Sequence, residues 1–254
     1  MESDQARLAA IRKLFTYNPL PEFDEQGRLI KLDLAGQSLT ELPLAVCEFS
    51  ALQELRLGFV VDDNGLRWEA DIRYNKLARL PEEIGNLQQL RILTLGSNRL
   101  ASLPASFGHL SKLEQLDLQN NPLGTLPEPV YQLRNLQYLK LTEARLTSLS
   151  GEIGQLQQLQ SLILNQNRLT DLPPQMAALQ KLEVLNLSAN PWLTVPAVVA
   201  RLAKLRELRL FGCTQLGEIA PEIMHMPSLE VLWVKHNLLE HRAGSAAASN
   251  QAAS

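Results

Sequence analysis

Residues whose chemistry could support catalysis are few and widely spaced in this chain of 254 amino acids. The only two cysteines, Cys47 and Cys213, lie far apart in the sequence. The four histidines stand at His109, His225, His236 and His241. The last two are five residues apart, but a zinc site needs further cysteine, histidine or carboxylate ligands at short spacing. We therefore expect no catalytic residue, no metal site and no enzyme.

One acidic run could in principle bind calcium. Residues 62–65 read Asp-Asp-Asn-Gly and match the first half of a calcium loop, but the later glutamate that such a loop requires is missing. Asp-Asn-Gly is instead typical of a tight turn. The sequence also contains no glycine-rich phosphate loop and no kinase or hydrolase motif. No cofactor is expected.

Composition and charge narrow the classes of partner. The chain is 45% hydrophobic and 20% charged, which is typical of a folded protein. The formal net charge of −3 provides no overall positive field for nucleic acid. No run approaches the ~18 apolar residues of a spanning helix, so no membrane insertion is expected. Two distant cysteines and no amino-terminal signal sequence favour the cytoplasm, with secretion by a non-Sec route as the alternative.

A repeat with a period of 23 residues organises the chain. Its frame is Leu-x-x-Leu-x-Leu-x-x-Asn-x-Leu-x-x-Leu-Pro, as seen from Leu90 to Pro104. We number places within each repeat from the first leucine, so that Leu90 occupies place 1 and Asn98 place 9. The first leucines of the strict array are Leu90, Leu113, Leu136, Leu159, Leu182 and Leu205. A fixed period of this length indicates a solenoid, because one repeat cannot bury its apolar face alone.

The two halves of the frame predict different local structure. Leu-x-x-Leu-x-Leu fits a short strand with one buried face. The Leu-Pro half has helical spacing and is bulkier, so it predicts short helices or 3-10 turns. Strands pack about 4.8 Å apart, closer than helices can, and the stack must therefore curve. The predicted fold is an α/β solenoid of about nine repeats, a horseshoe with a parallel β-sheet on its concave face.

Place 9 predicts a buried structural ladder of amide side chains at the corner where each strand ends. Its asparagines are Asn75, Asn98, Asn121, Asn167, Asn190 and Asn237, with Gln37, Ala144 and Cys213 as variants. Cys213 is expected to be a packed thiol. Ala144 cannot bond the backbone, and an unsatisfied group would cost ~1–3 kcal/mol, so the fifth repeat is predicted to be the weakest. Ser150 replaces the usual proline there and is a candidate N-cap.

Three segments depart from the frame. Residues 1–28 predict a capping helix over 4–15, with Asp4 as its N-cap, followed by a linker. In the second repeat the asparagine follows Leu57 by 18 residues instead of 3, so the repeat domain at 29–241 contains a 15-residue insertion at 58–72. This insertion predicts a β-hairpin. The tail at 242–254 is rich in Ala, Ser and Gly and is expected to be disordered.

The frame over residues 29–239 resembles the intracellular leucine-rich-repeat family with 23-residue repeats. Similar repeats occur in Ras-pathway scaffold proteins, plant Ras-group-related proteins, Roco GTPases and bacterial proteins that include type III effectors. The resemblance implies protein recognition, usually on the concave face. The insertion and the short ninth repeat depart from the family pattern, so no member's binding site can be transferred.

Two sets of residues are candidates for binding a protein partner. The first set, on the predicted concave face, consists of Arg56, Tyr138, Lys140, Arg209, Phe211, Trp233 and Lys235. The second set lies in or beside the insertion and consists of Phe59, Arg67, Trp68 and Tyr74. Exposed Trp, Phe and Arg together are typical of interface anchors, and a long insertion in a compact frame is usually functional. Alternatively, the tail or another molecule covers the concave aromatic residues, and Trp68 packs on the array.

The expected function is that of a non-enzymatic interaction module or scaffold. It would bind a protein partner, whose identity the sequence does not predict, through the concave face and the insertion. A bacterial secreted effector that binds host signalling proteins is one alternative. A sensing or recruitment domain of a larger regulatory enzyme is another, and binding of a small ligand beneath the hairpin is a third.

Overall fold

A computed structural model describes residues 3–16, 19–58 and 74–237 of the protein. Within these ranges a ten-stranded sheet runs the length of the molecule, and the strand order follows the sequence. The strands are β1 (Leu20–Phe23), β2 (Leu29–Asp33), β3 (Glu54–Arg56), β4 (Ile92–Thr94), β5 (Gln115–Asp117), β6 (Tyr138–Lys140), β7 (Ser161–Ile163), β8 (Val184–Asn186), β9 (Glu207–Arg209) and β10 (Val231–Trp233). Strands β2 to β10 are parallel, and the predicted horseshoe solenoid is confirmed.

Register between the strands follows the leucines of place 4. Leu93 aligns with Leu116, and the same alignment recurs from Leu32 to Leu232. Leu55 also aligns with Leu93, although 38 residues separate them, so the insertion does not shift the sheet. Since side chains alternate across a strand, this register puts one apolar column on the buried face and leaves places 3 and 5 on the concave face.

The opposite side of the array consists of short 3-10 helices, as predicted. They are η2 (Leu44–Glu48), η3 (Glu82–Asn86), η4 (Ala105–His109), η5 (Glu128–Gln132), η6 (Gly151–Gln155), η7 (Pro174–Ala178) and η8 (Ala197–Arg201), and the eighth repeat has the α-helix α2 (Pro221–Met224) instead. Proline precedes most of them, because its fixed φ suits the residue before a helical turn. Before η6 the residue is Ser150 instead of proline. It caps the helix, and its Oγ accepts a hydrogen bond from the Glu152 amide at 3.2 Å.

The amino-terminal end differs from the prediction in two respects. Helix α1 (Asp4–Ile11) continues as the 3-10 helix η1 (Arg12–Leu14), and its N-cap is Ser3, whose Oγ accepts from the Ala6 amide. Asp4 is therefore not the cap. Its carboxylate instead accepts a hydrogen bond from the Leu29 amide at 2.8 Å and ties the helix to the first repeat. The predicted linker also contains a strand, because β1 pairs antiparallel with β2.

The place-9 amides connect neighbouring repeats. In Asn98, Oδ1 accepts from the Leu77 amide at 3.0 Å, while Nδ2 donates to the carbonyls of Leu57 and Leu95. Asn75, Asn121, Asn167 and Asn190 repeat this pattern. Each amide thus serves one backbone N–H of the preceding repeat and carbonyl groups on both sides of the boundary. This is a structural role, since the side chains are buried.

Ala144 does not leave the fifth repeat unsatisfied, contrary to the prediction. An asparagine there would accept from Leu123, but the Leu123 amide already donates to the carbonyl of Asn121 at 2.8 Å. This local bond follows from Pro122, which has no amide hydrogen to continue the regular pattern. The seventh repeat has the same arrangement, since Trp192 follows Pro191 and its amide donates to the Asn190 carbonyl. The variant residue of the next repeat, Cys213, therefore has no amide to serve.

Trp192 completes the bonding around Cys213. Its indole is fully buried at a place that leucine otherwise occupies, and Nε1 donates to the Leu187 carbonyl at 2.9 Å. The same carbonyl accepts from Asn190 Nδ2 at 3.0 Å and from Cys213 Sγ at 3.6 Å. At the last described repeat, Asn237 would be expected to accept from the Leu216 amide. That amide instead donates to the Cys213 carbonyl, so Asn237 Oδ1 accepts from no described residue.

Candidate protein-binding surface

Four of the predicted concave-face residues lie together at the carboxy-terminal end of the sheet. Trp233 of β10 aligns with Arg209 of β9, and the Gly212 amide donates to the Lys235 carbonyl at 2.9 Å. Phe211 and Trp233 are 48% and 41% exposed, and Val231 is exposed beside them. We call Arg209, Phe211, Val231, Trp233 and Lys235 the aromatic patch. Large exposed apolar side chains next to cations are the composition of an interface anchor.

Glu207, which sequence reasoning missed, organises this patch. Its Oε1 accepts from Arg209 Nε at 2.7 Å and from Trp233 Nε1 at 3.0 Å. Burial works to raise the pKa of Glu207, but the hydrogen bond and charge of Arg209, aided by Trp233, outweigh it and hold the pKa below its ordinary value. The carboxylate is thus ionised at neutral pH. The sequence did contain a signal, because residues two apart on a strand share a face.

Phe211 is fixed through its ring and its backbone. Its ring meets the imidazole of His236 edge-on, with 5.1 Å between the centroids and an interplanar angle of 89°. The Phe211 amide donates to Ser188 Oγ at 3.1 Å, and its carbonyl accepts from the Ala189 amide at 2.8 Å. Both aromatic anchors of the patch are therefore held in place while a large part of each ring faces outward.

The remaining concave candidates do not join this patch. Tyr138 and Lys140 lie on β6, three strands from β9, and Arg56 lies on β3. Lys140 is only 4% exposed, because it is enclosed between Asp117 and Ile163 on the neighbouring strands, so its prediction as an accessible contact is corrected. A lysine ammonium is rarely buried unless opposite charge is near.

Arg56 lies beside acidic residues of its own end of the sheet. Its Nε contacts Oε1 of Glu54 at 2.5 Å, two residues away on the same strand. Asp33, its neighbour on β2, instead accepts the Ala35 amide at 2.9 Å. Asp117 and Asn186 accept the amide two residues ahead in the same way. The acidic and amide side chains of place 5 therefore accept the backbone N–H that follows the end of the strand.

The predicted contacts of the insertion fall on both sides of the described boundary. Phe59, Arg67 and Trp68 lie outside the described residues, and the predicted hairpin stays a prediction. Tyr74 is described and exposed. Gly58, where the insertion begins, lies against the backbone of Gly96, and a Cβ atom at Gly58 would stand 2.2 Å from the Gly96 carbonyl oxygen. Only glycine fits this approach between the second and third repeats.

The two cysteines are poor nucleophiles. Burial, reinforced by the carboxylates of Glu83 and Glu48, raises the pKa of Cys47 from 9.0 to about 12. Burial likewise raises the pKa of Cys213. Because the thiolate is the reactive form, neither side chain is poised for nucleophilic chemistry. Among the described residues, no three His, Cys, Asp or Glu side chains are grouped to hold a metal ion, and no helix has the length and apolar character to cross a membrane.

Comparisons with known proteins agree with this architecture. A family model described as a leucine-rich repeat region matches residues 126–250, and one described as a leucine rich repeat matches residues 71–123. A search of curated proteins found no match. Among solved structures, a leucine-rich-repeat protein of Leptospira interrogans is 36% identical over 84% of this chain and 56% of its own, with a TM-score of 0.71.

Two further solved structures come from a plant receptor kinase and a type III effector. The ectodomain of the Arabidopsis thaliana receptor kinase GASSHO1/SCHENGEN3, in complex with Casparian strip integrity factor 2, is 30% identical over 87% of this chain and 26% of its own, with a TM-score of 0.68. The leucine-rich-repeat domain of the type III effector XopL is 28% identical over 79% of this chain and 66% of its own, with a TM-score of 0.64. The chain thus spans about half of the Leptospira protein and a quarter of the plant ectodomain.

The fold and the repeat geometry define a solenoid with a parallel sheet on one face and 3-10 turns on the other. The repeat models and the solved relatives identify its family. The chain is a leucine-rich-repeat protein.

Proposed function

We propose that the protein is an interaction module that binds a protein partner through the aromatic patch on its concave face, as a scaffold in the cytoplasm. The observation that carries the proposal is the pair of exposed rings, Phe211 and Trp233, on one stretch of concave surface. Interface hot spots are enriched in Trp, Tyr and Arg and depend on anchors that fill pockets in the partner.

Preorganisation strengthens the proposal. Ordering a side chain on binding costs about 0.5–1.5 kcal/mol for each rotamer-rich group. Glu207 already fixes the Trp233 indole and the Arg209 guanidinium, and His236 packs on Phe211. A partner that covers these groups therefore loses little of its binding free energy to ordering them.

The relatives favour the same class of function. One solved relative is the ectodomain of a receptor kinase in complex with Casparian strip integrity factor 2, and another belongs to a type III effector. Since the chain matches only part of the receptor ectodomain, the partner of that protein does not transfer. The comparison supports recognition of a protein, and the aromatic patch supplies the candidate surface.

The test is quantitative affinity capture from lysate of cells that express the gene. It compares the wild-type chain with the Phe211→Ala/Trp233→Ala variant. The matched control is Leu193→Ala/Met224→Ala, which removes a similar amount of exposed apolar side chain elsewhere. We expect one set of proteins to be recovered at least tenfold less with the patch variant and at wild-type levels with the control, as anchor residues commonly contribute 2 kcal/mol or more.

Circular dichroism of each variant checks that the fold is intact. Equal recovery by wild type and a folded patch variant would contradict the proposal. So would the absence of any protein enriched by the wild-type chain over a bare resin. Equal losses in the patch and control variants would indicate general stickiness of apolar surface, which also contradicts it.

A further inference from the structure

Place 10, directly after the ladder, carries exposed cations on one edge of the array. Four repeats have Lys76, Arg99, Arg145 and Arg168 there, and all four are exposed. We call these four residues the basic row. The third of five successive repeats has Pro122 at this place, so the row consists of two neighbouring pairs with a gap between them.

Backbone bonds fix the members of each pair on adjacent rungs. The Arg99 amide donates to the Leu77 carbonyl, next to Lys76, at 2.8 Å. The Arg168 amide donates to the Leu146 carbonyl, next to Arg145, also at 2.8 Å. Adjacent rungs are about 5 Å apart, so each pair juxtaposes two like charges. Like charges directly opposite each other on neighbouring strands are destabilising.

The opposite edge of the strands handles its charges differently. There, at place 2, Arg91 forms a bidentate ion pair with Glu114, and Arg206 forms one with Glu230. The distances from the arginine Nη2 to the glutamate Oε2 are 2.8 and 2.9 Å. These pairs also cross from one repeat to the next. Within the described ranges, no member of the basic row has an ion pair or a side-chain hydrogen bond.

Among the residues that the structure describes, the carboxylates near the row do not contact it. Glu143 is exposed two residues before Arg145, and Asp171 lies three residues after Arg168. Asp171 Oδ1 accepts the amide of Leu172 at 2.8 Å. No ion pair joins either carboxylate to the row among the described residues. The Lys76–Arg99 end has no carboxylate among its described lining residues.

A cavity of about 430 Å³ opens at that end. Its described lining residues are Ser38, Tyr74, Asn75, Lys76, Ser97, Asn98, Arg99 and Asn120. Asn120 Nδ2 donates to Ser97 Oγ at 3.3 Å, so hydroxyl and amide groups lie beside the two cations. Cations with neutral hydrogen-bond donors are the groups that recognise a carboxylate.

We infer that the basic row binds an acidic, extended segment of a protein partner, with one of its carboxylates seated in the cavity between Lys76 and Arg99. From the second to the sixth repeat the row spans about 20 Å, which an extended chain covers with about six residues. This surface lies on the edge of the array and is independent of the aromatic patch.

Charge distribution favours a short acidic segment over nucleic acid. The chain as a whole carries −3, so a long polyanion meets net repulsion beyond the row. A peptide of six to eight residues interacts only with the local cations, because charges beyond about 10 Å are screened at ordinary ionic strength.

The test is fluorescence anisotropy with a labelled eight-residue peptide of alternating Glu and Gly, at 50 mM and 200 mM salt. The Lys76→Gln/Arg99→Gln variant is expected to weaken binding at least fivefold. Lys112→Gln/Lys181→Gln is the matched control, since it removes the same charge at the other end of the strands, where each lysine donates to a glutamine side chain. The control should bind as wild type does, and higher salt should weaken wild-type binding.

Equal weakening by the two variants would show that only net charge matters and would overturn the inference. A peptide with Gln in place of Glu that binds equally well would also overturn it. So would an eight-nucleotide single strand that binds more tightly than the peptide and depends on the same two cations. The Phe211→Ala/Trp233→Ala variant should bind the peptide normally, which separates this inference from the proposed function.

Discussion

At the residue scale, the ladder amide side chain hydrogen-bonds backbone groups of two neighbouring repeats. Asn98 is the acceptor for the Leu77 amide, whereas the Leu57 and Leu95 carbonyls to which it donates each have a second donor. Leu57 also accepts from Asn75, and Leu95 also accepts from Asn121. Of these three backbone groups, the one that depends on Asn98 alone is therefore the Leu77 N–H, and a buried N–H without a partner costs about 1–3 kcal/mol.

This dependence predicts a contrast between two ladder substitutions. Asn98→Ala should lower the free energy of unfolding by about 1–3 kcal/mol, because it leaves the Leu77 amide without an acceptor. Cys213→Ala should cost less than about 1 kcal/mol, because the Trp192 amide and the Leu187 carbonyl keep their partners. Urea unfolding followed by circular dichroism measures both. Similar losses in the two variants would show that packing, not hydrogen bonding, sets the cost.

Individual residues also mark the limit of sequence reasoning. The frame predicted which side chains face the core, since leucines at fixed places have only one way to be buried together. It did not predict that Lys140 would be enclosed or that Asp4 would bond Leu29 instead of capping its helix. Both outcomes depend on neighbours brought from other repeats or from 25 residues away. The nearness of Phe211 and Trp233 could be predicted, because they occupy places 7 and 5 of consecutive repeats and both places face the concave side.

At the scale of elements, the 3-10 helices pack through glycine. A Cβ atom at Gly154 of η6 would stand 2.5 Å from the carbonyl oxygen of Gln175 in η7. At Gly108 of η4 the nearest atom is Oε1 of the Gln132 side chain, at 2.2 Å. A side-chain end can rotate away, but a backbone carbonyl in a packed repeat cannot.

Gly154→Ala should therefore destabilise the protein by about 1–3 kcal/mol through overpacking. Gly108→Ala, the matched control, should be nearly neutral or slightly stabilising, because alanine restricts the unfolded chain. Thermal unfolding of the two variants beside wild type decides the matter. A loss of stability at Gly108 as large as that at Gly154 would contradict the explanation.

Strand β1 shows why some elements escaped prediction. Its segment follows Pro19 and contains Pro21, and proline is rare inside a sheet because it cannot donate a ladder hydrogen bond. An edge strand tolerates proline, however, and β1 lies at the edge of the described sheet. A local signal was present in the turn that follows, where Asp24 Oδ1 accepts the amides of Gln26 and Arg28 and Gly27 adopts a φ of +74°. Asp at the start of a turn and Gly near its end is a hairpin pattern.

At the scale of the whole molecule, each repeat contacts only its neighbours, so damage should stay local. Asp4→Ala removes the carboxylate that accepts the buried Leu29 amide. We expect faster hydrogen exchange in β2 and β3 and unchanged exchange in β7 and β8, measured by mass spectrometry. Glu25→Ala, which removes an exposed carboxylate at the same end, is the control and should leave all four strands unchanged. Faster exchange along the whole array in Asp4→Ala would indicate global cooperativity instead.

The coupling between Asn-Pro pairs and the ladder has a consequence for how such an array can grow by duplication. Pro122 and Ala144 are 22 residues apart, and alanine is tolerated at 144 because the amide after Pro122 finds its acceptor within its own repeat. Pro191 and Cys213 form a second such pair. A crossover that separated the members would place an alanine or cysteine opposite an N–H that still needs an amide. The unit that must be inherited together is therefore the boundary between two repeats, that is, the proline of one repeat with the place-9 residue of the next. Recombination between repeats should preserve these boundary pairs more often than it preserves single repeats.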